Sequence, residues 1–218
     1  MNVLGYGFAL SMLLAGMAQA HPHAFIDSAI EVIFDDQGRA SGVRISWTYD
    51  DLTSLSVISD RGFDPDFDGV LTAAELAELS GFDMNWDAAF LGDTYALLGK
   101  VPLDLSRPSD WTVSYANAKL TSTHYRSFTL PVAIGPEPLV VQSYDPDYYT
   151  AYAMVGQALV NGRPGCSAQI YEPDQAAADS ILQAAIDEMA GSTDVEGAFP
   201  AVGAAYAEEV RVTCNAPS

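Results

Sequence analysis

The sequence predicts an α+β fold: an antiparallel β-sheet carrying an inserted EF-hand-like helix–loop–helix and a helix towards the C-terminus. Three observations predict it. Residues 23–49 and 120–130 alternate side chains with a period of two, as half-buried strands do. Residues 64–75 form an acidic loop between two helical stretches. Residues 175–190 have the Ala-rich spacing of a helix opened by Pro173 and Asp174.

Each element follows in order. Ala24, Ile26, Ile30, Val32 and Phe34 share one parity, and His21, His23, Asp27 and Glu31 share the other. Asp35-Asp36-Gln37-Gly38 is a turn signal. Val43, Ile45, Trp47 and Tyr49 alternate again, which completes a hairpin over residues 23–49. Residues 50–61 read as a short helix with Asp50 or Asp51 as its cap. Thr72 to Leu79 starts a second helix, and a third is expected over Asn85 to Leu98. From Lys100 to Val155 the pattern is β, with Leu120, Ser122, His124, Arg126, Phe128 and Leu130 on one strand face. Pro131, Pro136 and Pro138 separate that strand from the next, Leu139 to Tyr144. Strands over Cys166 to Tyr171 and Val210 to Cys214 flank the late helix and a loop from Gly191 to Pro200.

Composition bounds the function. The 218 residues carry 29 acidic and 9 basic side chains, a formal net charge of −20. A hydrophobic content of 49% provides a core, so the chain is no disordered acidic tail. The charge argues against nucleic acid and anionic membrane surfaces as partners. It suits a protein that handles cations, or one that must stay soluble.

Residues 1–20 contain no Asp, Glu, Lys or Arg. Their apolar run, Phe8 to Met17, precedes Ala18-Gln19-Ala20, the small-residue pattern of a signal-peptidase site. The run is short for a membrane span of about 20 residues. The expectation is a signal peptide over 1–20, cleavage after Ala20, and one mature periplasmic domain over 21–218, with the EF-hand-like insertion at about 50–80. In an exported chain the even pair Cys166 and Cys214 reads as one disulfide.

The acidic loop is the sharpest motif. Asp64, Asp66, Asp68, Val70, Thr72 and Glu75 stand at positions 1, 3, 5, 7, 9 and 12 of an EF-hand loop, with Gly69 at the sharp turn. Val70 offers its backbone carbonyl and Glu75 both carboxylate oxygens. Hard oxygen ligands suit Ca2+, whereas a plain acidic turn capped by Asp side chains is the alternative. Asp83, Asn85 and Asp87 fail as a second loop, because Ala88 replaces the turn Gly and Thr94 the closing Glu.

The histidines form a weaker constellation. His21 and His23 are two apart, so on a strand both imidazoles reach one metal ion, and cleavage adds the free amine of His21. Pro22 lacks the amide hydrogen that a square-planar copper chelate requires. Asp27 shares the strand face, and His124 is a further candidate ligand if the sheet brings it near. The competing expectation is a solvated terminus and a core His124 hydrogen-bonded to a neighbour. Tyr144-Asp145-Pro146-Asp147-Tyr148-Tyr149 reads as a strand-ending turn whose carboxylates or carbonyls can line a site. No phosphate loop, nucleophile elbow or Cys–His pairing is present, so no catalytic residue is expected and the protein is read as a non-enzyme.

His21-Pro22-His23-Ala24-Phe25-Ile26-Asp27, Trp47-Thr48-Tyr49-Asp50, the Tyr144–Tyr149 block, Cys166 and Cys214 together resemble a domain-of-unknown-function family. Its members are described as the periplasmic component of an uncharacterised ABC-type transport system. They are often associated with a membrane permease of the nickel/cobalt type, some linked to zinc. The resemblance implies a periplasmic accessory protein that passes a transition metal, Zn2+ ahead of Ni2+ or Co2+, to an inner-membrane metal permease. A calcium-stabilised interaction module without transition-metal chemistry is the alternative. A copper-dependent oxidative enzyme with an N-terminal His ligand ranks third.

Overall fold

The computed structural model describes residues 22, 24–147, 149–189 and 201–215. The expected signal peptide, His21, His23 and the loop from Gly191 to Pro200 lie outside the described residues.

The predicted hairpin is present as β1 (Ala24–Phe34) and β2 (Ala40–Tyr49), paired antiparallel from Ile26↔Tyr49 to Phe34↔Ala40. Its turn closes on Asp35, whose carboxylate accepts from the Gln37 and Arg39 amides and pairs with the Arg39 guanidinium at 2.8 Å. The chain then forms α1 (Asp51–Asp60), α2 (Ala73–Leu79), β3 (Thr94–Leu98), β4 (Val101–Leu103), β5 (Ser109–Ala116), β6 (Lys119–Val132) and β7 (Leu139–Ser143). After these come β8 (Thr150–Met154), β9 (Leu159–Asn161), β10 (Cys166–Tyr171), α3 (Gln175–Met189), α4 (Gly203–Tyr206) and β11 (Glu209–Cys214).

The single antiparallel sheet expected from the sequence is instead two sheets. One runs β5-β6-β2-β1-β8, with β9 also on β1; the other runs β10-β11-β7-β3-β4. The first sheet is mixed, because β8 and β9 pair with β1 in parallel. Alternation identifies a strand but not its partner, which is why this was not legible. Ile30, Val32, Val43 and Ile45 of the first sheet share one core with Ala96, Leu139, Val141, Val210 and Val212 of the second. A buried hydrogen bond between the Ser28 and Ser143 hydroxyls joins the two layers at 3.2 Å.

The helix expected over Asn85 to Leu98 is absent; turns lead into β3. Asp87 caps the Ala89 and Phe90 amides in a tight turn. Gly92 and Asp93 then adopt φ of +83° and +42°, a conformation that no right-handed helix accommodates. Tyr95 to Leu98 are β-formers and find a ladder on β7.

The helix–loop–helix lies over one end of the first sheet. Asp50 caps α1 by accepting from the Thr53 amide at 2.8 Å, and its other oxygen accepts from the Phe25 amide. The Ser54 hydroxyl, wholly buried, accepts from the Leu120 amide. Ile58, Leu71, Leu79 and Leu120 form a second small core beneath the two helices. At the far edge Cys166 and Cys214 face each other across β10 and β11 and are disulfide-bonded. Closing the intervening 48 positions restricts the unfolded chain by ~4 kcal/mol on the entropic account.

Candidate functional sites: an acidic loop and an acidic aromatic cleft

The acidic loop joins α1 to α2. Carboxylate oxygens of Asp64, Asp66 and Asp68 all lie within 4.8 Å of one another. Asp64 accepts from the Asp68 and Gly69 amides at 3.0 and 3.1 Å, and Asp68 accepts from Val70 at 2.8 Å. Gly69 has φ +76°, the left-handed geometry that favours glycine. Thr72 and Glu75 form a capping box at the start of α2, and Glu75 also accepts from the Asp64 amide at 3.1 Å. These bonds, those from Thr72 first, hold the Glu75 carboxyl below its usual pKa. Thus Glu75 spans loop positions 1 and 12, while Leu71 at position 8 is buried in the small core.

Of the candidate transition-metal ligands, Asp27 and His124 are among the described residues, and the sheet does not bring these two together. Asp27 and His124 lie on opposite faces of it: Asp27 aligns with Thr48 and Thr121 on the outer face, and His124 aligns with Ile45 on the core face. Asp27 instead sits 3.9 Å from the Lys119 ammonium. His124 is wholly buried, with Trp47 and Trp86 edge-on at ring-centroid distances of 4.8 and 5.6 Å. The expectation of a hydrogen-bonded core histidine fails in one respect, since neither ring nitrogen has a partner. Burial, then the nearby Arg126 cation, pushes its pKa down to about 3, so the ring is neutral.

Sequence reasoning missed a larger feature. At the end of the sandwich where the chain crosses between sheets, a cavity of about 540 Å³ opens. Trp47 and Tyr49 of β2 and Tyr152 of β8 form its floor, and Tyr95 of β3 lines it from the second sheet. The crossing segment supplies Asp83, Phe90 and Asp93; the turn after β7 supplies Asp145 and Asp147. Asp83 accepts from the Tyr49 hydroxyl at 2.6 Å and from the Ser122 hydroxyl. Asp93 accepts from the Tyr152 hydroxyl at 2.9 Å. Burial raises the Asp83 pKa. Burial, together with the charges of Asp145 and Asp147, overcomes the Tyr152 bond and pushes Asp93 up to about 7. Burial and neighbouring Asp93 push Tyr95 up to about 12. Two of the segments that carry the family resemblance, Trp47–Asp50 and Tyr144–Tyr149, contribute to this cavity. The only available signal was the Tyr-Asp-Pro turn; Asp83 and Asp93 stand too far apart in sequence to suggest a site.

The family described as "Protein of unknown function (DUF1007)" matches residues 7–214. The chain belongs to this family. A relative from Haemophilus influenzae (strain ATCC 51907 / DSM 11121 / KW20 / Rd), described as "Uncharacterized protein", is 22% identical over 215 residues. That match covers 96% of this chain and 98% of the relative. Among the described residues no helix is long and apolar enough to cross a membrane.

Proposed function

We propose that the protein is an exported, periplasmic accessory protein that binds divalent cations. In this reading the 64–75 loop holds one structural Ca2+ through Asp64, Asp66, Asp68, the Val70 carbonyl, Thr72 and Glu75. A transition metal, Zn2+ ahead of Ni2+ or Co2+, is captured at the N-terminal histidines and passed to an inner-membrane permease. The supporting observation is the convergence of three carboxylates within 4.8 Å on EF-hand spacing. Three acceptors at that separation repel one another, and a hard dication offsets the repulsion. The disulfide supports an oxidising compartment.

Calcium titration of the chelator-treated mature protein tests the reading. One Ca2+ is expected to bind at about 10⁻⁴ to 10⁻³ M, as in extracellular modules. It should raise the melting temperature, and Glu75→Gln should weaken binding at least ~10-fold by removing the bidentate ligand. Absence of binding at millimolar Ca2+, or a calcium-dependent melt unchanged in Glu75→Gln, reduces the loop to an acidic turn.

A second reading, a calcium-stabilised interaction module, draws support from apolar side chains on the same helix–loop–helix. Leu52 and Phe67 are 77% and 80% exposed, and Leu55 and Val70 are exposed beside them.

A further inference from the structure

The cavity between the sheets pairs an excess of carboxylates with aromatic walls. Asp83, Asp93, Asp145 and Asp147 line it, and no Lys or Arg does among the described residues. Carboxylates in a half-enclosed, low-dielectric space favour a cationic guest. Asp93 is 7% exposed in the cavity wall, and the Tyr152 hydroxyl occupies one of its carboxylate oxygens at 2.9 Å.

The kind of cation follows from geometry. Among the described residues, the group of three or more metal-capable side chains that converges within 4.8 Å is the one at Asp64, Asp66 and Asp68. The cleft carboxylates are spread wider than a bare ion spans. A volume of about 540 Å³ is that of a small-molecule pocket. The faces of Trp47, Tyr49, Tyr95 and Tyr152 suit a delocalised or alkylated cation.

We infer that this cleft binds a small organic cation, an ammonium or guanidinium compound. Its nitrogens donate to Asp93, and Asp83, Asp145 and Asp147 add charge. The site uses no residue of the calcium loop, so the two stand or fall separately.

Asp93 makes the site pH-dependent. The groups facing it are Tyr152, Tyr49, Tyr95 and Tyr144, the carboxylates of Asp145 and Asp147, and the Arg126 guanidinium. With a pKa pushed up to about 7, it is charged at pH 8 and mostly neutral at pH 5.5.

The test is isothermal titration of the mature protein with argininamide, ethanolamine and ZnCl2 at both pH values. Saturable one-site binding of argininamide is expected at pH 8, with a dissociation constant below ~1 mM. Affinity should fall at least ~10-fold at pH 5.5. Asp93→Asn should weaken binding at least ~5-fold, while Glu75→Gln leaves it unchanged. Melting at pH 8 checks folding: Asp93→Asn removes a buried charge, and its melting temperature should not fall. Three results overturn the proposal: no saturation by argininamide or ethanolamine at about 10 mM, equal affinity in a folded Asp93→Asn, or an Asp93-dependent response to Zn2+ alone.

Discussion

His124 lies on the first sheet's inner face, and its two unpartnered nitrogens have a thermodynamic consequence. Its folded pKa, about 3, is far below the ~6.5 of an unfolded chain. Between those values the unfolded chain holds a proton that the folded chain does not. The histidine therefore costs stability progressively as pH falls from 6.5 towards 3, at up to ~1.4 kcal/mol per pH unit. Asp93 runs the other way, since its folded pKa of about 7 exceeds the unfolded value. Its contribution is fully present below about pH 4 and is lost as pH rises through 7. A His124→Phe variant keeps a ring against Trp47 and Trp86 and removes the titration. Urea unfolding at pH 7, 6, 5 and 4 should show the variant gaining on the natural protein by ~1 kcal/mol per pH unit below 6. A pH-independent difference between the two would mean that His124 titrates normally.

Among the elements, α4 and the turn after β7 are locked by a close approach. The Gly203 amide donates to the Pro146 carbonyl at 3.1 Å, and a Cβ on Gly203 would stand 1.8 Å from the Asp145 carbonyl oxygen. Gly203→Ala must push the acidic turn away and should cost about 1–3 kcal/mol, as overpacking does. Chemical denaturation measures the loss; an unchanged midpoint would show that the turn yields freely. Such a contact spans 58 positions and leaves no trace in local pattern. What was legible was local: the β1–β2 hairpin with its Asp35 turn, the Asp50 cap, the Thr72 start of α2, and the disulfide from an even cysteine count. The parity of Ile26 to Phe34 and of Leu120 to Phe128 also identified the buried faces. Illegible were the second sheet, the parallel partners of β1, and the cleft, because each depends on which strands meet. The segment from Asn85 to Leu98 misled because its apolar spacing suits a helix, whereas Gly92 and Asp93 break it.

At the scale of the molecule the N-terminus bears on the transport proposal. In that proposal, cleavage after Ala20 converts the His21 amide into a free amine beside its imidazole. β1 begins at Ala24, and Asp27 occupies its outer face. If maturation creates the transition-metal site, one extra Gly before His21 should weaken Zn2+ binding, and His23→Ala should weaken it further. Both imidazoles must be neutral, so affinity should fall as pH drops through about 6.5. Zinc, nickel and copper titrations of the cut, extended and His23→Ala proteins decide it. Equal affinities in all three would move the site elsewhere or abolish it; loss in His23→Ala alone would keep the imidazoles and discard the amine.

The last strand among the described residues, β11, is an interior strand: β10 flanks it on one side and β7 on the other. Every other member of its sheet is therefore made before the strand that joins them. A polypeptide emerging N-terminus first presents β7 and β10 with open edges until residues 209–214 arrive, and only then does Cys214 meet Cys166. The sheet is complete only once residues 209–214 have paired, which makes a break before them hazardous. A product lacking that segment would leave two unpaired strand edges, each a template for aggregation, and a lone thiol at Cys166.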